Sequence, residues 1–372
     1  MHVTESCQGG VSSYLCALVQ EQLRFPDDEI YVIAAEGKIT RQLEASGARI
    51  KLYKSSRNPL KLWWVGRDVT LLLESINPDV VHLHSTFPGF YGRIGGLFRK
   101  RQWATLYCPH GWSFSQEGFW IVRRFYGLVE AALAQNTEVI VNISENEAVI
   151  ARKYSALARH NVVIYHGVGE ARTSNNQREN ENSLKIGFVG RFDKQKGLDI
   201  LLRIAEKTPS VEFHLIGDFN RDRPHKIFWP SNIVLHGWVP TDQIDDWYRK
   251  FDALIIPSRW EGFGLVAVEA MRNKRPILAS NRGALPELVI HGFNGYIFDI
   301  NNAADASRIL KNTTREKLRD MGVNAYIIYR KTFRIDRMLL ETREAYNEAL
   351  RIRRAGSVVR HPSSRQARPS AR

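Results

Sequence analysis

Cysteine is scarce in this chain: 372 residues carry three, at positions 7, 16 and 108. They are scattered, with no paired metal-ligand spacing and no disulfide framework. Cys7, Cys16 and Cys108 are therefore read as reduced, structural thiols of a cytosolic protein. No run of about 18 apolar residues occurs, so no membrane-spanning helix is expected. The first residues, MHVTESCQGG, lack the basic stretch and apolar core of a secretory signal. Acidic groups are also in deficit. Lys and Arg number 53 against 39 Asp and Glu, a net charge of +14. Much of the excess lies in residues 351–372, which hold seven Arg and no acid. Such a surface suits nucleic acid, an anionic membrane or phosphorylated ligands. For the tail, a merely solvated segment and a membrane-docking segment fit the composition equally.

What is present alternates between strand and helix. Apolar stretches at 2–6, 29–35, 79–85, 103–111, 138–144 and 161–168 read as buried strands. Val11, Tyr14, Leu15, Leu18 and Val19 recur at helical spacing, and 60–76 reads as a helix closed by Asn77-Pro78. Residues 169–183, GEARTSNNQRENENS, have almost no apolar content and read as a linker. The alternation then restarts, with strands at 184–190, 211–217, 232–239, 253–258, 276–280 and 295–299. The expected architecture is α/β: two parallel-sheet domains, 1–168 and 184–332, facing a central cleft. Residues 333–350 form a further amphipathic helix, and 351–372 a disordered basic tail.

The unusual residues sit where strands end. GRFDKQKG (190–197) follows a strand, with Arg191 and Lys196 in the loop and a helix after Gly197. Glycine lets a ligand approach, and a helix N-terminus favours an anion, so the loop suits a phosphate or diphosphate. WEGFGLVAVEA (260–270) spends Gly262 and Gly264 at a helix start. Glu261 precedes them and Glu269 follows in an otherwise apolar helix. A carboxylate offers two oxygens to vicinal hydroxyls, so two carboxylates beside a phosphate site suggest two sugar rings. CQGGV (7–11) is a glycine turn at another helix start, and CPHGW (108–112) places His110 just past a strand. His82 and His84 alternate onto one sheet face and read as packing; neither has metal spacing with a third ligand, and no metal site is expected.

The motifs GGV, PHGW, GRFDKQKG, EGFGLVAVEA and HGFNGYIF, in this order, resemble the family-four group of retaining glycosyltransferases with the GT-B fold. The resemblance covers the chain from His2 to about residue 350. It implies that Arg191 and Lys196 bind the donor diphosphate and stabilise it as a leaving group. It further implies that Glu269 holds the ribose hydroxyls and that Glu261 contacts the transferred sugar. Backbone amides of Phe263, Gly264 and Leu265 would meet sugar and phosphate, Gly10 would lie near the diphosphate from the other domain, and His110 would contact the sugar. The helix 333–350 would cross back to the first domain. No cofactor or metal is implied, and the chain has no Asp-x-Asp motif. The partners implied are a nucleotide-sugar donor and a glycan or polyprenyl-lipid-linked acceptor. Two departures stand out. The first strand is short, from which a start further upstream is expected, and His166 stands where the family commonly has Asn.

The expected protein is thus a cytoplasmic hexosyltransferase, peripherally bound at the inner face of the cytoplasmic membrane and making cell-surface polysaccharide or lipopolysaccharide. Its basic, aromatic face would include Arg93, Arg99, Lys100, Arg101, Trp103, Trp120, Arg123 and Arg124. A GT-B nucleotide-sugar epimerase shares the fold, but the two glutamates eight residues apart with the Gly-Arg loop favour transfer. A nucleic-acid-binding protein fits the charge but shows no such motif, so no nucleic-acid partner is expected.

Overall fold

The computed structural model describes residues 1–5, 9–56, 58–98, 101–115, 119–154, 157–158, 160–172, 183–219 and 227–358. Cys7, Arg99, Lys100, most of the expected linker (173–182) and residues 359–372 of the basic tail lie outside them.

The first sheet has seven strands: β1 (His2–Thr4), β2 (Tyr31–Ala34), β3 (Arg49–Leu52), β4 (Val80–His84), β5 (Ala104–Cys108), β6 (Val139–Asn142) and β7 (His160–Val163). Between them run α1 (Gly10–Gln22), α2 (Lys38–Ala45), α3 (Pro59–Ile76), α4 (Thr86–Phe98), α5 (Trp120–Ala134) and α6 (Glu145–Lys153). The strands are parallel in the order β3-β2-β1-β4-β5-β6-β7. The second sheet has six: β8 (Leu184–Val189), β9 (Val211–Ile216), β10 (Ile233–Gly237), β11 (Ala253–Ile256), β12 (Ile277–Ser280) and β13 (Gly295–Phe298). Its helices are α7 (Leu198–Lys207), α8 (Ile244–Lys250), α9 (Leu265–Arg272), α10 (Leu285–Leu288), α11 (Ala303–Lys311) and α12 (Arg315–Thr332), before α13 (Ile335–Val358). Its order is β10-β9-β8-β11-β12-β13, again parallel. Each sheet reverses its winding at one place, β1/β4 and β8/β11. Ligands of open parallel sheets bind in the crevice beyond such a reversal.

Local chemistry accounts for the elements. β4 and β5 are almost wholly buried, as parallel strands covered on both faces must be. Asn58 accepts from the Leu60 N–H at 3.0 Å with Pro59 opening α3, and Asn77, at φ 49°, closes it ahead of Pro78. β3 has no counterpart in the sequence reading. It is an edge strand with mostly exposed residues, so burial imposes no apolar run on it.

The chain crosses between domains twice at one point. The Val168 N–H donates to the Phe333 carbonyl at 2.9 Å, and the Ile335 N–H donates back to Val168 at 3.2 Å. Tyr329 seals the crossing by donating to the Gly169 carbonyl at 2.8 Å. α13 then lies on the first domain against α1, β4 and β5. It runs to Val358, eight residues beyond the expected end at residue 350, so 351–358 are helical rather than disordered. The reason is packing: Ile352 continues the apolar stripe of Ala345, Ala349 and Leu350 against the core.

At the crossing, a Cβ on Gly167 would stand 2.5 Å from the Arg334 carbonyl oxygen, whereas one on Gly169 would meet nothing within 4 Å. Gly167→Ala should therefore lose about 1–3 kcal/mol of stability through overpacking. Gly169→Ala should change it by less than about 0.5 kcal/mol. Denaturant unfolding of the two variants side by side checks the difference.

Candidate active site

The loops that leave β8 and β11 lie at the reversal of the second sheet. Gly190, at φ 151°, releases β8 into the basic loop, and Gly197, at φ 72°, ends it as the N-cap of α7. A Cβ on Gly197 would lie 1.9 Å from the Pro257 carbonyl oxygen, so glycine alone lets the two loops touch. The contact brings together charges 65 residues apart. Lys196 Nζ donates to Glu261 Oε1 at 2.5 Å, and Ser258 Oγ donates to the same oxygen at 2.8 Å. Lys196 and Glu261, expected to serve different parts of a ligand, are thus bonded to each other. Both are largely buried, 19% and 7% exposed, which strengthens their attraction. Asp193, which the sequence reading passed over, organises the loop: it accepts from the Lys196 N–H at 2.8 Å and pairs with Arg191 at 3.2 Å. Arg191 also donates to Gln195 at 2.8 Å and keeps 42% of its side chain exposed.

Gly264, at φ 103°, is the N-cap of α9; its carbonyl accepts from the Ala267 N–H at 2.9 Å, and the Leu265 and Val266 N–H groups of the first turn have no intrahelical acceptor. Phe263 is buried, stacked on Tyr165 at 5.9 Å and tilted against His166 at 5.1 Å, so its side chain packs where the domains meet. Five residues past Gly264, Glu269 Oε2 accepts from Tyr248 at 2.9 Å. Burial raises its carboxyl above the ordinary value.

The first domain faces this edge with its own reversal. Gly10 opens α1, and a Cβ there would lie 3.4 Å from Leu265 Cδ1, so the two helix starts nearly touch. His110 follows β5 in the left-handed region, φ 52°, with Nε2 3.1 Å from His84 Nδ1. His166 stacks on Tyr14 at 4.4 Å and lies 5.3 Å from His110. Among the described residues, His110 Nδ1 and both ring nitrogens of His166 are buried polar atoms with no hydrogen-bond partner. Such atoms are costly in an apolar interior, and several of them lie together at this edge.

Glu147 was not anticipated. Its only mark in the sequence is its place three residues after Ser144, whose hydroxyl accepts from the Glu147 N–H at 3.1 Å as the cap of α6. The carboxyl bends back, Oε2 accepting from the Ile143 N–H at 3.0 Å, while Oε1 would lie 3.3 Å from a Cβ on Gly262. Burial pushes it up to about 8. Across the cleft Glu287 accepts from the Glu145 and Asn146 N–H groups at 2.9 and 2.7 Å, and from Tyr165 at 3.2 Å.

Two further expectations are corrected. His82 and His84 do have a third imidazole: His2, on neighbouring β1 and in register with His82, brings all three within 4.8 Å of one another. Strand pairing across eighty residues is invisible to local spacing. Arg93, Arg101 and Trp103 are interior rather than surface residues. Arg93 pairs with Glu130 at 2.7 Å and lies over the Tyr107 ring at 3.7 Å; Arg101 meets Glu138 and Thr105. Among the described cysteines, Cys16 and Cys108 are free thiols, and burial holds Cys108 well above the ordinary range.

With this geometry in hand, comparison places the chain. Residues 8–172 match the Glycosyltransferase Family 4 model and residues 170–327 the glycosyl transferases group 1 model. An uncharacterised 41.2 kDa protein in the cps region of Klebsiella pneumoniae is 31% identical over 328 residues, 84% of this chain and 89% of that one. The capsular polysaccharide biosynthesis glycosyltransferase CapM of Staphylococcus aureus is 24% identical over 333 residues, 81% and 84% of the two chains. The crystal structure of Anabaena HepE in complex with UDP-glucose superposes with a TM-score of 0.78 at 19% identity, over 93% of this chain and 98% of that one. The chain belongs to the group 1, family-four-like glycosyltransferases: it is a transferase enzyme of the GT-B fold.

The buried imidazoles set a pH dependence. Burial holds His2 and His110 down to about 3, against about 6.5 in an unfolded chain. Between those values the unfolded state binds protons that the folded state refuses, so stability falls as pH drops below about 6.5. Glu147, raised to about 8, acts in the opposite sense, favouring the fold as pH falls from 8 to about 4.5. Burial lowers His82, His84 and His166 as well, so the imidazoles outweigh the carboxyls and the net loss is at least roughly 1.4 kcal/mol per pH unit below 6.5. Glu147→Gln should steepen that loss. Unfolding free energies measured from pH 7 to pH 5 test both the sign and the change.

Proposed function

We propose that this transferase moves a hexose from a nucleoside-diphosphate sugar, with retention of configuration, to a glycan or polyprenyl-lipid-linked acceptor in the assembly of cell-surface polysaccharide. The observation that carries the reading is the convergence at the β8/β11 reversal of Arg191, Lys196, two carboxylates and the N-terminus of α9, facing Gly10 and His110. Arg191, Lys196 and the helix end answer the charge that grows on a departing diphosphate. They supply the positive charge that a divalent cation would otherwise bring, and the reading assigns no metal or cofactor. Glu269 takes the ribose hydroxyls, with Tyr248 using only one of its lone-pair sites. Glu261 and His110 take the transferred sugar, and backbone amides of Phe263, Gly264 and Leu265 meet sugar and phosphate. The acceptor hydroxyl attacks on the face the diphosphate leaves, and its proton passes to a departing phosphate oxygen. The cps-region relative and CapM support the polysaccharide setting, and the UDP-glucose in HepE supports the donor class.

Calorimetry against UDP-, GDP- and ADP-sugars tests it. Glu269→Ala should lower affinity for the true donor by roughly two to four decades, since two charge-assisted bonds contribute about 1.5–3 kcal/mol each. Lys196→Ala should lower turnover at saturating donor. A loss of affinity under about threefold for Glu269→Ala, with the fold intact, would remove the ribose role.

The same reading places the enzyme at a membrane surface. Among the described residues no helix is long and apolar enough to cross a membrane. Instead α3 and the start of α5 leave large apolar groups in solvent: Leu60, Trp63 and Trp64 on one, Phe119, Trp120 and Phe125 on the other. Arg67 lies over Trp64 at 5.6 Å, and Arg124 is exposed beside Phe125. Aromatic rings with adjacent cations suit the interface of an anionic bilayer. Replacing Phe119 and Trp120 with serine should weaken co-sedimentation with anionic vesicles at least about tenfold while leaving thermal unfolding unchanged, since both side chains are exposed.

A further inference from the structure

Beneath the cleft, the first domain holds a column of imidazoles that the chemistry above does not use. His2 stands on β1 and His82 and His84 on β4, on one face because β4 alternates and His2 pairs with His82. All three are at most 1% exposed. Gln22 reaches them from the end of α1 and Tyr346 from α13. Burial keeps the rings neutral, with His2 and His110 held down to about 3 and His84 well below the ordinary value.

A neutral imidazole donates through one nitrogen and accepts through the other, so each contact dictates the next. Gln22 Oε1 lies 2.7 Å from His2 Nε2; an amide oxygen only accepts, so His2 carries its proton there. His2 Nδ1 is then a lone pair, and His84 Nε2, at 2.9 Å, donates to it. His84 Nδ1 becomes the next lone pair, and His110 Nε2, at 3.1 Å, donates to that. His110 is left with a bare Nδ1, buried and, among the described residues, without a partner at the cleft end of the column. The direction is set by the other end of the Gln22 amide. Its Nε2 donates to the Tyr346 hydroxyl at 3.1 Å, leaving the phenolic proton for His82 Nδ1 at 3.0 Å. That arrangement gives the acidic phenol the most basic acceptor within reach. It also puts all four rings in the Nε2–H form, which a free histidine side chain prefers.

We propose that Gln22, His2 and His84 are positioning residues: a buried hydrogen-bonded relay that locks His110 as its Nε2–H tautomer and presents the Nδ1 lone pair to the bound sugar. The proposal rests on the reading of the cleft as the sugar site and deepens it. A fixed lone pair takes a hydrogen bond from a hydroxyl, and it repels a carboxylate or carbonyl oxygen placed there. The relay also excludes a metal ion on His2, His82 and His84. The His84 Nε2 proton lies on the His2 Nδ1 lone pair, so neither nitrogen is open to a cation.

The test is nitrogen NMR of the full chain labelled with ¹⁵N-histidine, in which protonated and bare ring nitrogens resonate far apart and His110→Asn identifies the His110 signals. The expected result is a single His110 tautomer, Nε2 protonated and Nδ1 bare. His84→Asn keeps an acceptor at the Nδ1 position and should preserve that pattern; His84→Leu removes it and should leave a mixture. The proposal is overturned by a wild-type His110 that is mixed or protonated on Nδ1, or by an unchanged tautomer in a folded His84→Leu protein. One equivalent of metal bound in purified wild-type protein and lost from His84→Leu overturns it as well. Because the readout needs no donor, it stands apart from the transferase reading, which fails separately if Glu269→Ala leaves donor binding intact.

Discussion

The whole cleft hangs on one crossing of the chain. Val168 pairs with Phe333 and Ile335, so both passages between domains are pinned within a few ångströms of each other. The carboxyl ends of two parallel sheets can then face one another while the rest of each domain keeps its own core. The glycines follow from that constraint. Gly167 admits the Arg334 backbone, Gly197 admits Pro257, and Gly10 brings α1 up to Leu265. Remove the close approach and Gly167 would no longer require glycine, whereas Gly197 would still favour it at φ 72° and Gly10 already has room for a Cβ.

Close approach also sets the electrostatics. Lys196 and Glu261 are drawn out of water by neighbouring loops rather than by a deep core, and each is the other's partner. A buried pair of this kind adds little to stability, because desolvation offsets the attraction. Its value lies in holding two charges at fixed positions beside a helix end. On the facing domain the polar groups are neutral instead: imidazoles held below their ordinary values and a glutamate held above. The cleft therefore has a charged wall and an uncharged wall.

The two sheets, the loops bearing Arg191, Lys196 and Glu261, and the helix bearing Glu269 were legible because buried parallel strands are apolar runs and each of these segments is local in sequence. What was not legible depends on pairing across long separations. His2 and His84 are brought together by strand pairing, and Glu147 reads as an ordinary capping-box residue until Gly262 is placed against it. β3 escaped because an edge strand need not be apolar. Arg93 and Arg101 looked like surface charge, since burial beside Glu130 and Glu138 leaves composition unchanged.

Glu287 gives the architecture a mechanical property. Its carboxylate belongs to the second domain, yet it occupies the N-terminus of α6 in the first, accepting two backbone N–H groups and one phenol. A carboxylate at a helix N-terminus is favoured by the helix dipole as well as by the bonds themselves. Any hinge motion about Val168 that widens the cleft near Tyr165 must strip all three bonds from Glu287 together and expose two helix-end amides. The clasp therefore works as a latch. Small displacements within the closed form are cheap, but separation of the domains is all or nothing.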